Sequence, residues 1–230
     1  MYGHIRAAYA RQVKPPWPTT RQRIADVYKT IARPIHKPDD KSQLFETLQE
    51  ITSSFDEKHE HILMTQGTFQ EWFLGQINKL GKIHFTWEQS EKSARKIART
   101  TISFGAAQKC ISLLIKDWWS VSPNADKASE RCSFLYAPFD GIVYVAIRRY
   151  LRVSPYKSLL DSDNKDQSYV YHLSEEDYFR YQSHLDRLAS GLSSSLNLSA
   201  KLHRIEVEQI IWGWAPENQH IRATDSPETG

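Results

Sequence analysis

Ser103-Phe104-Gly105-Ala106-Ala107-Gln108-Lys109-Cys110-Ile111-Ser112-Leu113-Leu114-Ile115-Lys116-Asp117-Trp118-Trp119 is the stretch around which this 230-residue chain can be ordered. Ala107, Cys110, Ile111, Leu114, Ile115 and Trp118 recur at three- and four-residue steps, the period of one face of an α-helix. Lys109, Ser112 and Lys116 share the opposite face, the pattern of a solvated row. Ser103-Phe104-Gly105 reads as a turn between this helix and a more polar one over residues 88–101, whose apolar contacts are Ala94, Ile97 and Ala98.

The same period extends outward in both directions. Ile24, Val27, Tyr28 and Ile31 define a helix over residues 20–33, capped by Thr20 and stopped by Pro34. Leu44, Phe45, Leu48 and Ile51 define a second, residues 40–55, with Asp39 or Asp40 as cap. Phe69, Trp72, Phe73 and Ile77 place a third at residues 68–80, with Gly81 suited to its end. Beyond the central helix, residues 120–131 and 154–167 read as polar loops, and residues 140–152 as a helix. Ser174 followed by Glu175, Glu176 and Asp177 opens a long helix towards Ser190, and residues 206–214 form the last. Strand-like residues at 83–85 and 169–173 are too few for a sheet, so the fold class is all-α. No internal repeat is evident.

Composition narrows the class further. A chain 40% hydrophobic and 12% aromatic, with nine Gly and ten Pro, is neither disordered nor fibrous. Its apolar runs fall short of the roughly 20 residues that cross a bilayer. Basic residues near the N-terminus are followed by no apolar signal core. Two cysteines, Cys110 and Cys132, give neither a disulfide framework nor a zinc site, and His59 and His61 point apart on a helix; no metal or cofactor is expected. A reducing cytoplasm is the expected location. The net charge of +3 is unevenly spread: residues 1–37 hold eight basic residues against Asp26 alone, a net of +7, leaving −4 for the rest. Such a basic segment suits a phosphate-facing surface, or a solubilising arm. The expected organisation is a basic arm at residues 1–19, one helical domain at 20–215 and a flexible tail at 216–230.

The chemistry-bearing residues are Lys109, on the first turn of its helix, and Asp140 in Leu135-Tyr136-Ala137-Pro138-Phe139-Asp140-Gly141, 31 residues on. A carboxylate beside a sugar C1′ stabilises the positive charge that develops when an N-glycosidic bond breaks. An amine that attacks C1′ must be neutral, and a helix N-terminus disfavours the ammonium form. Each has a plainer role open to it: Asp140 as a helix cap alone, Lys109 as a surface lysine, with Lys116 the rival amine. Cys110 points to the core and reads as packing.

In these residues the chain resembles the helix-hairpin-helix DNA glycosylase superfamily, nearest to its archaeal 8-oxoguanine branch. The resemblance rests on Gln108-Lys109 leading to Trp118-Trp119, on Pro138-Phe139-Asp140, and on Glu208-Gln209-Ile210-Ile211-Trp212-Gly213-Trp214. Its motifs cover residues 101–149, with the hairpin and catalytic segment at about 95–152. The chain departs from the family's Leu-Pro-Gly-Val-Gly hairpin in having Gly105 alone and no proline, and it carries Gly141 where many relatives have a polar residue. The resemblance implies a multi-helix glycosylase-like bundle with a cleft between two helical halves, acting as a monomer on double-stranded DNA that carries a modified base. Asp140 would stabilise the oxocarbenium ion and Lys109 would form a Schiff base, with lyase action to follow. Gly105, Gln108, Arg148, Arg149, Arg21 and Arg23 would contact DNA, and Trp119, Trp212 and Trp214 would line the base pocket. The base would be an oxidised purine or a modified base of phage DNA, the latter in a defence role. A non-catalytic helical DNA-binding protein and a helical protein-interaction module are the alternatives.

Overall fold

The computed structural model describes residues 24–25, 27–28, 38–90, 95–121, 133–153, 173–198 and 201–214. These are mostly helical, as the periodicity predicts, with one two-stranded sheet. Among the described residues, no helix is long and apolar enough to cross a membrane. Helix α1 (Pro38–Ile62) holds Asp39 and Asp40 inside its first turn rather than as its cap, buries Leu44, Leu48, Ile51 and Phe55, and runs on past the expected end at residue 55. Helix α2 (Gln66–Gly81) starts at a reciprocal cap, in which Thr65 accepts the Thr68 N–H and the Thr68 hydroxyl accepts the Thr65 N–H. Phe69, Phe73, Ile77 and Leu80 form its buried stripe.

The sequence reading fails between α2 and the central helix. The helix expected over residues 88–101 is replaced by an antiparallel hairpin of β1 (His84–Ser90) and β2 (Arg95–Thr101), in register from His84↔Thr101 to Ser90↔Arg95. Ala94, Ile97 and Ala98 have helical spacing, but the same stretch is rich in β-branched residues. Its partner carries other strand formers, the aromatic Phe85 and Trp87 on either side of Thr86. Pairing satisfies the backbone of both strands at once, and that non-local gain is invisible in either strand alone. Buried Ile83, Phe85 and Ile102 anchor the base of the hairpin in the core. The turn at Ser103 therefore joins a strand to a helix.

Helix α3 (Phe104–Val121) is capped by Ser103, whose hydroxyl accepts the Ala106 N–H. It is followed by α4 (Gly141–Val153), α5 (Glu175–Ser195) and α6 (Arg204–Trp214). Ser174 caps α5 by accepting the Asp177 N–H, as its sequence predicts. One face of α3 packs on α1 and α2, where Trp118 meets Phe55 edge-on at 5.1 Å and Phe55 lies 4.9 Å from Trp72. Its other face is mostly covered. Ser112 is fully buried and meets the Tyr178 hydroxyl of α5 at 3.2 Å, and Lys116 is 3% exposed. The helix is buried over most of its circumference, and α5 and α6 cover Ser112 and Lys116, while Lys109, Leu113 and Asp117 stay partly exposed along one narrow strip.

Candidate functional site

The extended segment Leu135–Asp140 lies between α3 and α5, and its backbone is held from both sides by side-chain amides. Gln108 of α3 donates from Nε2 to the carbonyls of Phe139 (2.7 Å) and Gly105 (2.9 Å), while its Oε1 accepts the Phe139 N–H (3.3 Å). Gln182 of α5 does the same two residues earlier, donating to the Ala137 carbonyl (2.9 Å) and accepting the Ala137 N–H (3.0 Å). The Tyr178 hydroxyl adds a second donor to the Ala137 carbonyl at 3.2 Å. Each glutamine thus stands in for a neighbouring strand, and buried backbone groups that would otherwise lack partners have them. Phe139 stacks on Tyr181 at 4.4 Å, fixing the residue that precedes Asp140.

Asp140 divides its two oxygens. Oδ1 accepts the N–H groups of Ile142 (2.9 Å) and Val143 (3.1 Å), capping α4, and Oδ2 lies 3.0 Å from Lys109 Nζ. One carboxylate thus caps α4 and meets Lys109 at the same time. The Asp140 side chain is 8% exposed and that of Lys109 22%, so the amine keeps a path to solvent while the carboxylate is nearly enclosed. Lys116, the rival amine, is enclosed and committed: its Nζ lies 2.6 Å from Glu208 Oε2 of α6, with side-chain exposures of 4% and 0%. Burial raises the Glu208 carboxyl above its ordinary range, an effect opposed chiefly by Lys116. Burial also pushes the Cys110 thiol up, with Lys109 pulling weakly the other way, which suits packing rather than attack.

The remaining expected site residues fall in different places. Gly105 and Gln108 are buried, and the Gln108 amide is spent on Phe139 and Gly105 rather than presented to a ligand. Trp119 is 1% exposed within the hydrophobic core, and Trp212 packs partly buried against it. Arg148 and Arg149 belong to α4 and Trp214 to the end of α6, with their side chains outside the described residues. Arg21, Arg23, the arm at 1–19 and the tail at 216–230 also lie outside them. Gln182, Tyr178 and Glu208 are the site-building residues that the sequence reading did not single out. Two long polar side chains and a hydroxyl on otherwise apolar helical stripes were the available signal.

An aromatic-lined hollow elsewhere, bounded by Ile51, Phe55, Trp72, Ile111, Leu114 and Trp118, lies on the face of α3 that meets α1 and α2. It is away from the row that carries Lys109. Compared with models of protein families, with curated proteins and with solved structures, the chain finds no match.

Proposed function

We propose that this protein is a DNA N-glycosylase that extrudes a modified base from duplex DNA and cleaves its bond to C1′. The observation that carries the reading is the 3.0 Å contact between Lys109 Nζ and an Asp140 carboxylate whose other oxygen is fixed on the first turn of α4. This contact joins an amine with access to solvent to an enclosed carboxylate, the two groups the chemistry needs. As the C1′–N bond lengthens, its electron pair leaves with the base, which takes up a proton, and Asp140 stabilises the positive charge left on the sugar. Lys109, having given up its ammonium proton to solvent, forms the new N–C1′ bond, and sugar-ring opening gives a Schiff base. β-Elimination from it would cut the strand; water in place of Lys109 would leave an abasic site.

On this reading the helices form a helix-hairpin-helix-like bundle with the DNA cleft between its halves, although the Gly105 turn is entered from a strand. The +7 of residues 1–37 supplies phosphate contacts. The protein acts as a cytoplasmic monomer, in repair of oxidised purines or in defence against modified phage DNA. The test is mass spectrometry of bases released from duplexes that carry oxidised, alkylated and phage-type modified bases, with borohydride present in a parallel set. The parent should release one class of base and be trapped on DNA; Lys109→Gln should not be trapped. Asp140→Asn keeps a capping oxygen for α4 and should bind DNA without releasing base. Release of no base by the parent, or full activity of Asp140→Asn, would remove the mechanism. Salt-sensitive DNA binding without release would instead favour a non-catalytic binder.

A further inference from the structure

Two of the expected DNA contacts beside Lys109 turn inward: Gly105 is buried, and the Gln108 amide is committed to backbone. The element that stands at that end of α3 is the hairpin of β1 and β2. Only Ile102 and Ser103 separate β2 from α3; Ile102 is buried and Ser103 caps the helix, so the hairpin is mounted on the helix end. Lys109 lies five residues in from Phe104, about 7.5 Å by helical rise. Charge marks the hairpin out. Residues 38–230 carry −4 in all, yet residues 82–101 hold Lys82, Lys92, Arg95, Lys96 and Arg99 against Glu88 and Glu91. That is a local net of +3, in a body whose other residues come to −7. Arg95, Lys96 and Arg99 stand on β2 at positions paired with Ser90, Gln89 and Thr86, so no acidic residue is their cross-strand partner. Strand alternation puts Arg95 and Arg99 on the face of the exposed His84 and Thr101, and Lys96 on the face of Phe85.

From this placement we infer that the β1–β2 hairpin is a docking ribbon that enters the major groove of duplex DNA and sets the duplex against the Lys109 end of α3. The inference rests on the reading of this protein as one that acts on DNA, and it names the surface that holds the partner. Among the described residues the sheet has two strands, with no third strand on either edge. Seven residues per strand give a ribbon about 23 Å long, with strands about 4.8 Å apart. A B-DNA major groove, about 12 Å wide, admits a ribbon of two strands. Arg95 and Arg99 are about 13 Å apart along β2, a span that matches phosphates on opposite walls of that groove. Charged residues on short edge strands also keep them from pairing with other sheets, and the test separates the two roles.

The test is binding of an undamaged fluorescent DNA duplex by the full chain, followed by anisotropy across a series of salt concentrations. Arg95→Gln, Lys96→Gln and Arg99→Gln combined remove three phosphate contacts, and the slope of log affinity against log salt should fall by about 2–3. Lys41→Gln, Lys58→Gln and Lys79→Gln combined make the same change in net charge on α1 and α2, and should move the slope by less than about 1. Amide hydrogen exchange on the parent needs no variant: exchange within residues 84–101 should slow when DNA is added. Equal loss of slope in the two triple variants, or unchanged exchange in the ribbon, would overturn the inference and leave edge protection as the role of these charges. So would tighter binding of duplex RNA than of DNA, because the major groove of A-form RNA is too narrow for a ribbon. Base release from the panel described above is read separately. A parent that binds DNA through the ribbon yet releases no base loses the glycosylase reading alone; one that releases base while the ribbon variant keeps its salt slope loses the ribbon alone.

Discussion

Replacing Gln108 with leucine removes the clamp on Phe139 with little change in side-chain size, and its cost can be worked out group by group. Three hydrogen bonds go, two of them the partners of the Phe139 N–H and carbonyl, at a residue 1% exposed. Each buried backbone group left without a partner costs about 1–3 kcal/mol, and the added apolar burial returns about 1 kcal/mol. The net expectation is a loss of about 1–5 kcal/mol. Gln182→Leu is the internal control, because the Ala137 carbonyl keeps the Tyr178 hydroxyl at 3.2 Å and only the Ala137 N–H is orphaned. By the same sum it should cost no more than about 2 kcal/mol. Urea unfolding followed by circular dichroism gives both numbers, provided the slope with denaturant is shared with the parent. A Gln182→Leu loss equal to or larger than that of Gln108→Leu would refute the account of the clamp. So would a Gln108→Leu variant within about 0.5 kcal/mol of the parent.

Other perturbations separate the remaining roles. Asp140→Ala should lose about 1 kcal/mol or more with the α4 cap, while Asp140→Asn stays within about 0.5 kcal/mol of the parent, read as thermal midpoints. Tyr178→Phe removes a donor to Ala137 and the contact with Ser112, and should cost about 1 kcal/mol in the same urea assay. Burial raises the Glu206 carboxyl from 4.5 to about 7, so the folded state holds its proton more tightly than the unfolded chain. Its contribution is fully present below pH 4.5 and is lost as pH rises to about 7. Glu206→Gln, which still accepts the His203 N–H, should therefore gain on the parent across that window by about 3 kcal/mol. His203, lowered by burial, shifts stability in the opposite direction in both proteins and cancels in the difference. A constant gap between parent and Glu206→Gln stability curves from pH 4 to 8 would contradict this.

Much of the helical framework can be read from residue spacing, because burial imposes its period directly on the chain. Leu44, Leu48, Ile51 and Phe55 lie under α1 as their steps predict, and Ser174 and Asp140 cap the helices they precede. The hairpin of β1 and β2 could not be read this way: its stability comes from register between residues such as His84 and Thr101, and local spacing of Ala94, Ile97 and Ala98 imitates a helix. The pairing of Lys109 with Asp140 was accessible through the types of the two residues and the turns that carry them. The fate of Lys116 was not. A polar row on one helix looks solvated until another helix brings Glu208 to meet it, and nothing within α3 encodes that arrival. Gln108 is a DNA contact only by the family resemblance, and within the fold its amide is bonded to the backbone of Phe139 and Gly105.

The two glutamines that grip the segment before Asp140 are amides, and an amide has no proton to gain or lose across the range in which proteins live. Had histidine or glutamate held Phe139 and Ala137, acidification would have loosened the approach to α4 before it touched the Lys109–Asp140 contact. As built, the mount is indifferent to pH. A titration of this protein's chemistry would then carry no contribution from these two amides.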